Sequence, residues 1–265
     1  VIAGAIWLLT EIGDTLASPT GEMWKGLAWF AVSGLLTTAA GRSLYFVSVR
    51  DLGAVRATAM KRVTPLFSVL LAVVILGEML AHRTAMGLLM VAASIFLLFG
   101  ESLALARRRR RLSDQPGEPE FLFWRGYGSG ALSGFSYAAG YIVRKIGLVA
   151  LPNGLFGTFV GAMTALAYYA IVAIARPDQR AILKAELRLH NAWHVLAALA
   201  ISLGQIRVFA ALQFTTVTRL AVISSLEVFI TMVLSVFIFR SDAMPGLVTW
   251  IATILATVGV IVIVL

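Results

Sequence analysis

The sequence predicts an all-α polytopic membrane protein, on three observations. Of its 265 residues, 60% are hydrophobic and 13% charged, against about 45–50% and about 25% in a soluble domain. Mean hydropathy is +0.90. Apolar runs recur along the whole chain, each near the roughly 20 residues a helix needs to cross a hydrocarbon core roughly 30 Å thick. A membrane β-barrel would instead alternate apolar and polar residues in runs of about ten, which is not the pattern here.

Nine apolar segments follow in order: 1–10, 26–49, 56–77, 84–103, 126–149, 153–175, 191–213, 219–239 and 245–265. The first, "VIAGAIWLLT", is too short for a span and lacks the basic leader of a signal peptide. It reads as the tail of a helix whose beginning is missing, and the chain, which starts at Val1, reads as a fragment. After the fourth segment comes "ARRRRRLSDQPGEPE", with five consecutive arginines and two prolines. This polar linker divides the chain into residues 1–103, 104–125 and 126–265. In the fifth and sixth segments, Gly130/Gly134 and Gly157/Gly161 have the small-xxx-small spacing that lets helices approach closely. The seventh is preceded by "QRAILKAELRLHN", an interfacial amphipathic stretch. Glu186, His190 and His194 stand at i, i+4 and i+8 there, a spacing compatible with a metal on one helix face. Their place at a membrane entry favours the amphipathic reading, and no metal or other cofactor is expected.

The net charge of +9 does not point to nucleic acid. Most of the cations flank apolar segments, where they read as topology signals and contacts to the lipid bilayer. With loops assigned alternately to two sides, one side holds Arg50, Arg56, Arg107 to Arg111, Arg125, Arg176, Arg180, Lys184, Arg188 and Arg240. The other holds Lys25, Arg83, Arg144, Lys145 and Arg219. This bias puts the Arg-rich linker in the cytoplasm, whereas a ten-span plan with both termini inside puts it outside. Without cysteine, neither a disulfide framework nor a thiolate metal site is available.

The two halves repeat. At an offset of 163, Gly41/Gly204, Phe46/Phe209, Arg56/Arg219, Leu71/Leu234, Val73/Val236 and Ile75/Ile238 coincide. The order of helices and short turns matches too. The second half has five segments and the first has three and a piece, so the intact plan is five plus five. An odd number of spans per repeat sets the repeats in opposite orientations, the inverted-repeat plan of many secondary transporters.

"TPLFSVLLAVVILGE" followed by "RTAMGLLMVAASIFLLFG" resembles the ending of the EamA repeat of the drug/metabolite transporter (DMT) superfamily. One helix there carries a Pro-aromatic pair and closes on Leu-Gly-Glu, and a Gly-containing helix follows. In the second half "SSLEVFITMVLSVFIFRSD" takes the same place, with Val228 for the proline and Phe-Arg-Ser-Asp for Leu-Gly-Glu. The resemblance implies a carrier of amino acids, metabolites, sugar nucleotides or phosphorylated compounds, more usually an exporter than an importer. It also implies a multi-pass protein of the cell membrane, most often the bacterial inner membrane, acting as a monomer or homodimer.

Ionisable residues within the expected segments mark the candidate site, because a charge at mid-membrane costs about 2.5–3.5 kcal/mol even on the lenient insertion scale. Glu227 lies eight residues into its segment, about 12 Å deep at 1.5 Å per residue. In the repeat alignment Thr64 falls opposite Glu227, and Lys61 opposite Ser224. The expected substrate-binding residues are Arg42, Tyr45, Lys61 and Thr64 on one wall, with Gln205, Arg207, Ser224 and Glu227 on the other. The excess of cations favours an anionic or zwitterionic small-molecule substrate, and Glu227 permits coupling to a proton or to a counter-substrate. Lys61 shares a helix face with Thr64, Pro65 and Ser68, the expected inner face. Arg62, about 100° round the helix, snorkels to the interface. No nucleophile elbow, phosphate loop or zincin helix is present, so an enzyme is not expected. A lipid flippase or scramblase and an intramembrane enzyme are the alternatives to a metabolite carrier.

Overall fold

Every regular element among the described residues is helical. The structure, a computed structural model, describes residues 21–52, 57, 60, 63–112, 120–176, 180, 192–224, 230 and 246–264. The expected partial helix at 1–10, the dibasic pair Lys61 and Arg62, the Glu186–His190–His194 triplet as a set, and Glu227 fall outside them.

Helix α1 (Gly21–Gly34) runs into a π-helical segment, Leu35–Gly41, and on into α2 (Arg42–Leu52). The expected segment 26–49 is thus helical throughout, with a π-helical stretch in its middle, from which Thr37 Oγ1 donates to the Ser33 carbonyl at 2.8 Å. Helix α3 spans Thr64–Leu76. Val63 is a turn residue and Pro65 sits in the first turn, where its missing N–H costs nothing and its fixed φ suits the helix. Helix α4 spans His82–Leu112 and α5 spans Glu120–Ala150, so the expected linker 104–125 is helical at both ends. The remaining helices are α6 (Gly154–Ala175), α7 (Ala192–Phe214), α8 (Val217–Ser224) and α9 (Leu247–Val264). Asn153 caps α6, its side-chain oxygen accepting from Phe156 N–H at 2.8 Å, which satisfies one of the free donors of a helix start.

Two compact units divide these helices, with boundaries at 40/41, 138/139 and 215/216. In the first unit α6 packs against both α1 and α7. Small residues make this possible: Gly157 faces Phe209 and Phe30, and Gly161 faces Gly34. The Phe30 and Phe209 rings meet edge to face at 5.8 Å. In the second unit α9 packs along α4, and α8 packs on α3, α4 and α9. Val69, Val91, Ile95, Val222 and Val260 form its core, with Leu66 and Leu88 against it. Gly130 lies against Met60 and Ser48, and Gly134 against Thr64. Both expected glycine pairs therefore serve helix packing.

Polarity runs the opposite way from a soluble protein. Val74, Ile75, Leu89, Phe96, Leu166, Ile171 and Ile174 are exposed, while Ser33, Ser48, Ser68, Ser94 and Ser133 are fully buried. The buried hydroxyls of Ser68 and Ser94 donate to carbonyls one turn back, at 2.9 and 2.6 Å, so they add no unpaired donor to an apolar interior. An outer surface of large aliphatic side chains suits lipid as solvent. Among the described residues, Gly154–Ala175 and Val195–Phe214 are long and apolar enough to cross a bilayer, and Thr64–Leu76, His82–Leu97 and Trp250–Val262 are shorter apolar helices.

One ion pair closes the second unit just outside the expected segments 26–49 and 126–149. Arg125 grips Asp51 with both ends of its fork, Nε to Oδ2 at 2.8 Å and Nη2 to Oδ1 at 2.9 Å, a bidentate geometry. The Asp51 side chain is 3% exposed. The Arg125 hydrogen bond, helped by Arg50, holds the Asp51 carboxyl below the usual carboxylate range. A depressed carboxylate pKa gives stability that is complete above its unfolded value, near pH 4, and is lost as pH falls through the folded value. Wild-type protein is therefore expected to lose melting temperature on acidification from about pH 5 to about pH 3. Asp51→Asn should start lower and lose less over that range, as read by thermal unfolding in detergent.

Candidate functional site

The polar centre of the first unit is built around Arg144, a residue the sequence reading placed among the loop cations. The structure corrects this: Arg144 and Lys145 both lie inside α5, and Arg144 is 3% exposed. Arginine and lysine are good helix formers, so nothing local stops α5 there. The Arg144 guanidinium lies over the Phe209 ring at 3.9 Å and near the Tyr141 ring at 5.7 Å. Its Nε donates to Ser33 Oγ at 3.4 Å and its Nη1 to Gln205 Oε1 at 3.3 Å. Ser33 passes its own proton to the Gly140 carbonyl at 3.1 Å. The cation is thus held by ring faces, a hydroxyl and an amide. Among the described residues, Asp51 pairs with Arg50 and Arg125, and the contacts of Arg144 are to neutral groups.

Lys145, next in sequence, is committed elsewhere. Its Nζ donates to the Leu212 and Thr215 carbonyls at 2.6 and 2.9 Å, neutralising the negative end of α7. Tyr169 also donates its hydroxyl proton to the Thr38 carbonyl at 2.8 Å, within the π-helical segment. Irregular helical turns of this kind often accompany functional sites.

The sequence-derived site residues divide between the units. Gln205 and Arg207 are on α7 in the first unit; Arg42 and Tyr45 on α2, Thr64 on α3 and Ser224 on α8 are in the second. Gln205 reaches Arg144. Arg207 follows two residues later, about 200° round the helix, and is exposed. Arg42, Tyr45 and Ser224 are half-buried. Thr64, Pro65 and Ser68 are buried, Thr64 against Gly134, and Val69, on the face expected of Arg62, is buried as well. Lys61 and Glu227 lie outside the described residues. Arg144 could have been found in the sequence, since the expected segment 126–149 already contained it. Its neighbour Lys145 gave the pair the look of an interfacial anchor.

A second polar recess lies at the start of α8, lined by Glu78, Met79, Ala81, Thr84, Thr216, Thr218 and Arg219. The Glu78 carboxylate accepts from the N–H groups of Val217 and Thr218 at 2.8 and 3.1 Å, and Thr216 Oγ1 accepts from Arg219 N–H at 3.3 Å. This constellation caps a helix, and it gives the Leu-Gly-Glu ending a physical role. Gly77 adopts φ 64° and the Glu78 N–H folds back onto the Ala72 carbonyl, a left-handed stop that favours glycine.

The model of the EamA-like transporter family matches residues 1–100 and 124–265. The chain belongs to the EamA-like transporter family. It is an integral membrane protein of the DMT superfamily, and the all-helical structure with its aliphatic exterior accords with that. Eighteen solved chains match its fold. One of them, a crystal structure of a protein 18% identical in sequence, covers 99% of this chain and 81% of its own with a TM-score of 0.65. That likeness concerns the fold. No curated protein matches the chain.

Proposed function

We propose that this EamA-like protein is a secondary carrier of a small metabolite, acting as an exporter or exchanger. It would work by alternating access between two inverted five-span repeats, 1–103 and 126–265, joined by the linker 104–125. Its setting would be the bacterial inner membrane, as a monomer or homodimer, with a proton or counter-substrate as the coupled species. The observation that carries this reading is a guanidinium buried in an apolar helix bundle of a transporter-family chain. A charge retained there despite its desolvation penalty usually faces a solute path or a partner. Arg42, Tyr45, Lys61, Thr64, Gln205, Arg207, Ser224 and Glu227 remain the residues proposed to line that path, with Arg144 added.

Proteoliposome transport tests the proposal. Glu227→Gln and Arg207→Ala are each expected to abolish uptake while yielding normal amounts of folded protein, as judged by gel filtration in detergent. Full activity in both variants refutes the site. Movement of labelled lipid with no movement of small polar solutes favours the flippase alternative.

A further inference from the structure

The charge count around Arg144 narrows the substrate class, and this step rests on the carrier reading above. We infer that Arg144 binds the carboxylate of a small monoanionic organic solute whose apolar body packs on Tyr141. Both hydrogen bonds that Arg144 makes are long, at 3.3 and 3.4 Å. A guanidinium paired with a carboxylate holds it at about 2.7–2.9 Å, commonly through two N–H groups at once. Two bonds occupy two of the five N–H donors, so the fork has donors for an incoming acid. Gln205 is exposed and its amide oxygen stands where a carboxylate oxygen would be preferred, so exchange of the amide for a ligand oxygen strengthens the contact.

The surroundings select among anions. Lys145 is held by the end of α7, which leaves one positive charge at this centre among the described residues. A single cation between two rings matches a monocarboxylate; a phosphate dianion would bring a second negative charge that none of the described groups contacting Arg144 meets. Phe209 at 3.9 Å fixes the plane of the guanidinium, as stacking on an aromatic face does, and the half-buried Tyr141 ring beside it is the surface left for the apolar part of the solute.

Benzoate, with benzamide as its neutral isostere and inorganic phosphate as the dianion control, tests the inference on the purified full chain in detergent. Benzoate at ten times its Kd is expected to raise the melting temperature by roughly 3–6 °C, and benzamide and phosphate by much less. Arg144→Gln should remove the benzoate shift. Should that variant not fold, Gln205→Glu serves instead. The new carboxylate would pair with Arg144, raise the ligand-free melting temperature and abolish the response to benzoate. An equal benzoate shift in wild type and Gln205→Glu, or no shift in wild type, overturns the inference. Benzoate counterflow in proteoliposomes separates this from the carrier reading. Counterflow untouched by Gln205→Glu leaves a carrier with its site elsewhere, and benzoate binding without counterflow leaves the site but refutes the carrier.

Discussion

Gly34→Ala is expected to unfold or severely destabilise the first unit, whereas Gly161→Ala, its partner across the same contact, should be tolerated. A Cβ on Gly34 would stand 2.7 Å from the Gly161 Cα and 2.9 Å from its carbonyl carbon, and closer still to the carbonyl oxygen. All three are backbone atoms, so no rotamer change relieves the clash and α1 must move away from α6. Forced overpacking of this kind costs about 1–3 kcal/mol, and more when backbone meets backbone. The same shift would disturb Ser33, one residue away, whose hydroxyl supports Arg144. A Cβ on Gly161 meets its nearest neighbours, the Gly34 Cα and the Phe30 carbonyl, at 3.6 Å, ordinary van der Waals distance. Alanine there gains roughly 1 kcal/mol of helix propensity over glycine. Yield of monodisperse protein and melting temperature in detergent should therefore collapse for Gly34→Ala and stay level or rise for Gly161→Ala. Equal behaviour of the two variants would contradict the packing described.

Glu78→Ala comes second. Its carboxylate serves two N–H groups at the start of α8, where free donors and the helix dipole both favour an anion. Loss of a cap costs about 0.5–2 kcal/mol, and the charged acceptor with two bonds places Glu78 at the upper end. A fall of roughly 4–8 °C in melting temperature corresponds to about 2 kcal/mol in a chain of this size. Glu78→Gln keeps an acceptor without the charge and should fall between. Gly77→Ala, which forces φ 64° on a residue with a Cβ, adds about 1–2 kcal/mol by a separate route. Because α8 packs on α3, α4 and α9, the loss should appear as reduced stability of the second unit. Undiminished melting temperature in Glu78→Ala would show that the cap contributes nothing.

These two cases show where sequence reading succeeds. "GxxxG" at 157–161 announced a close helix contact, because only small residues let backbones meet. Which partner glycine is indispensable was decided by which Cα faces which carbonyl. Leu-Gly-Glu was legible as a family ending and as a helix stop. That its glutamate caps a helix some 140 residues later is a long-range fact, and nothing local encodes it. Arg144 is the sharper instance. Inside an apolar segment beside Lys145 it had the local signature of an anchor. The ring of Phe209 and the hydroxyl of Ser33 that retain it come from other helices, 65 and 111 residues away in the chain.

By itself the sequence determined the helical membrane class, the family and most helix positions. Class and helix positions follow from properties that add along the chain: apolar length, glycine spacing and the positions of proline and charge; the family follows from the resemblance carried by "TPLFSVLLAVVILGE" and the helix after it. Tertiary structure alone decided which polar groups are buried together. Burial of Arg144 and Asp51, and the service of Lys145 and Glu78 to distant helix ends, depend on the packing of helices far apart in sequence. A buried cation and a snorkelling one share the same residue type and the same local pattern. The difference lies in the desolvation and the partners that packing supplies.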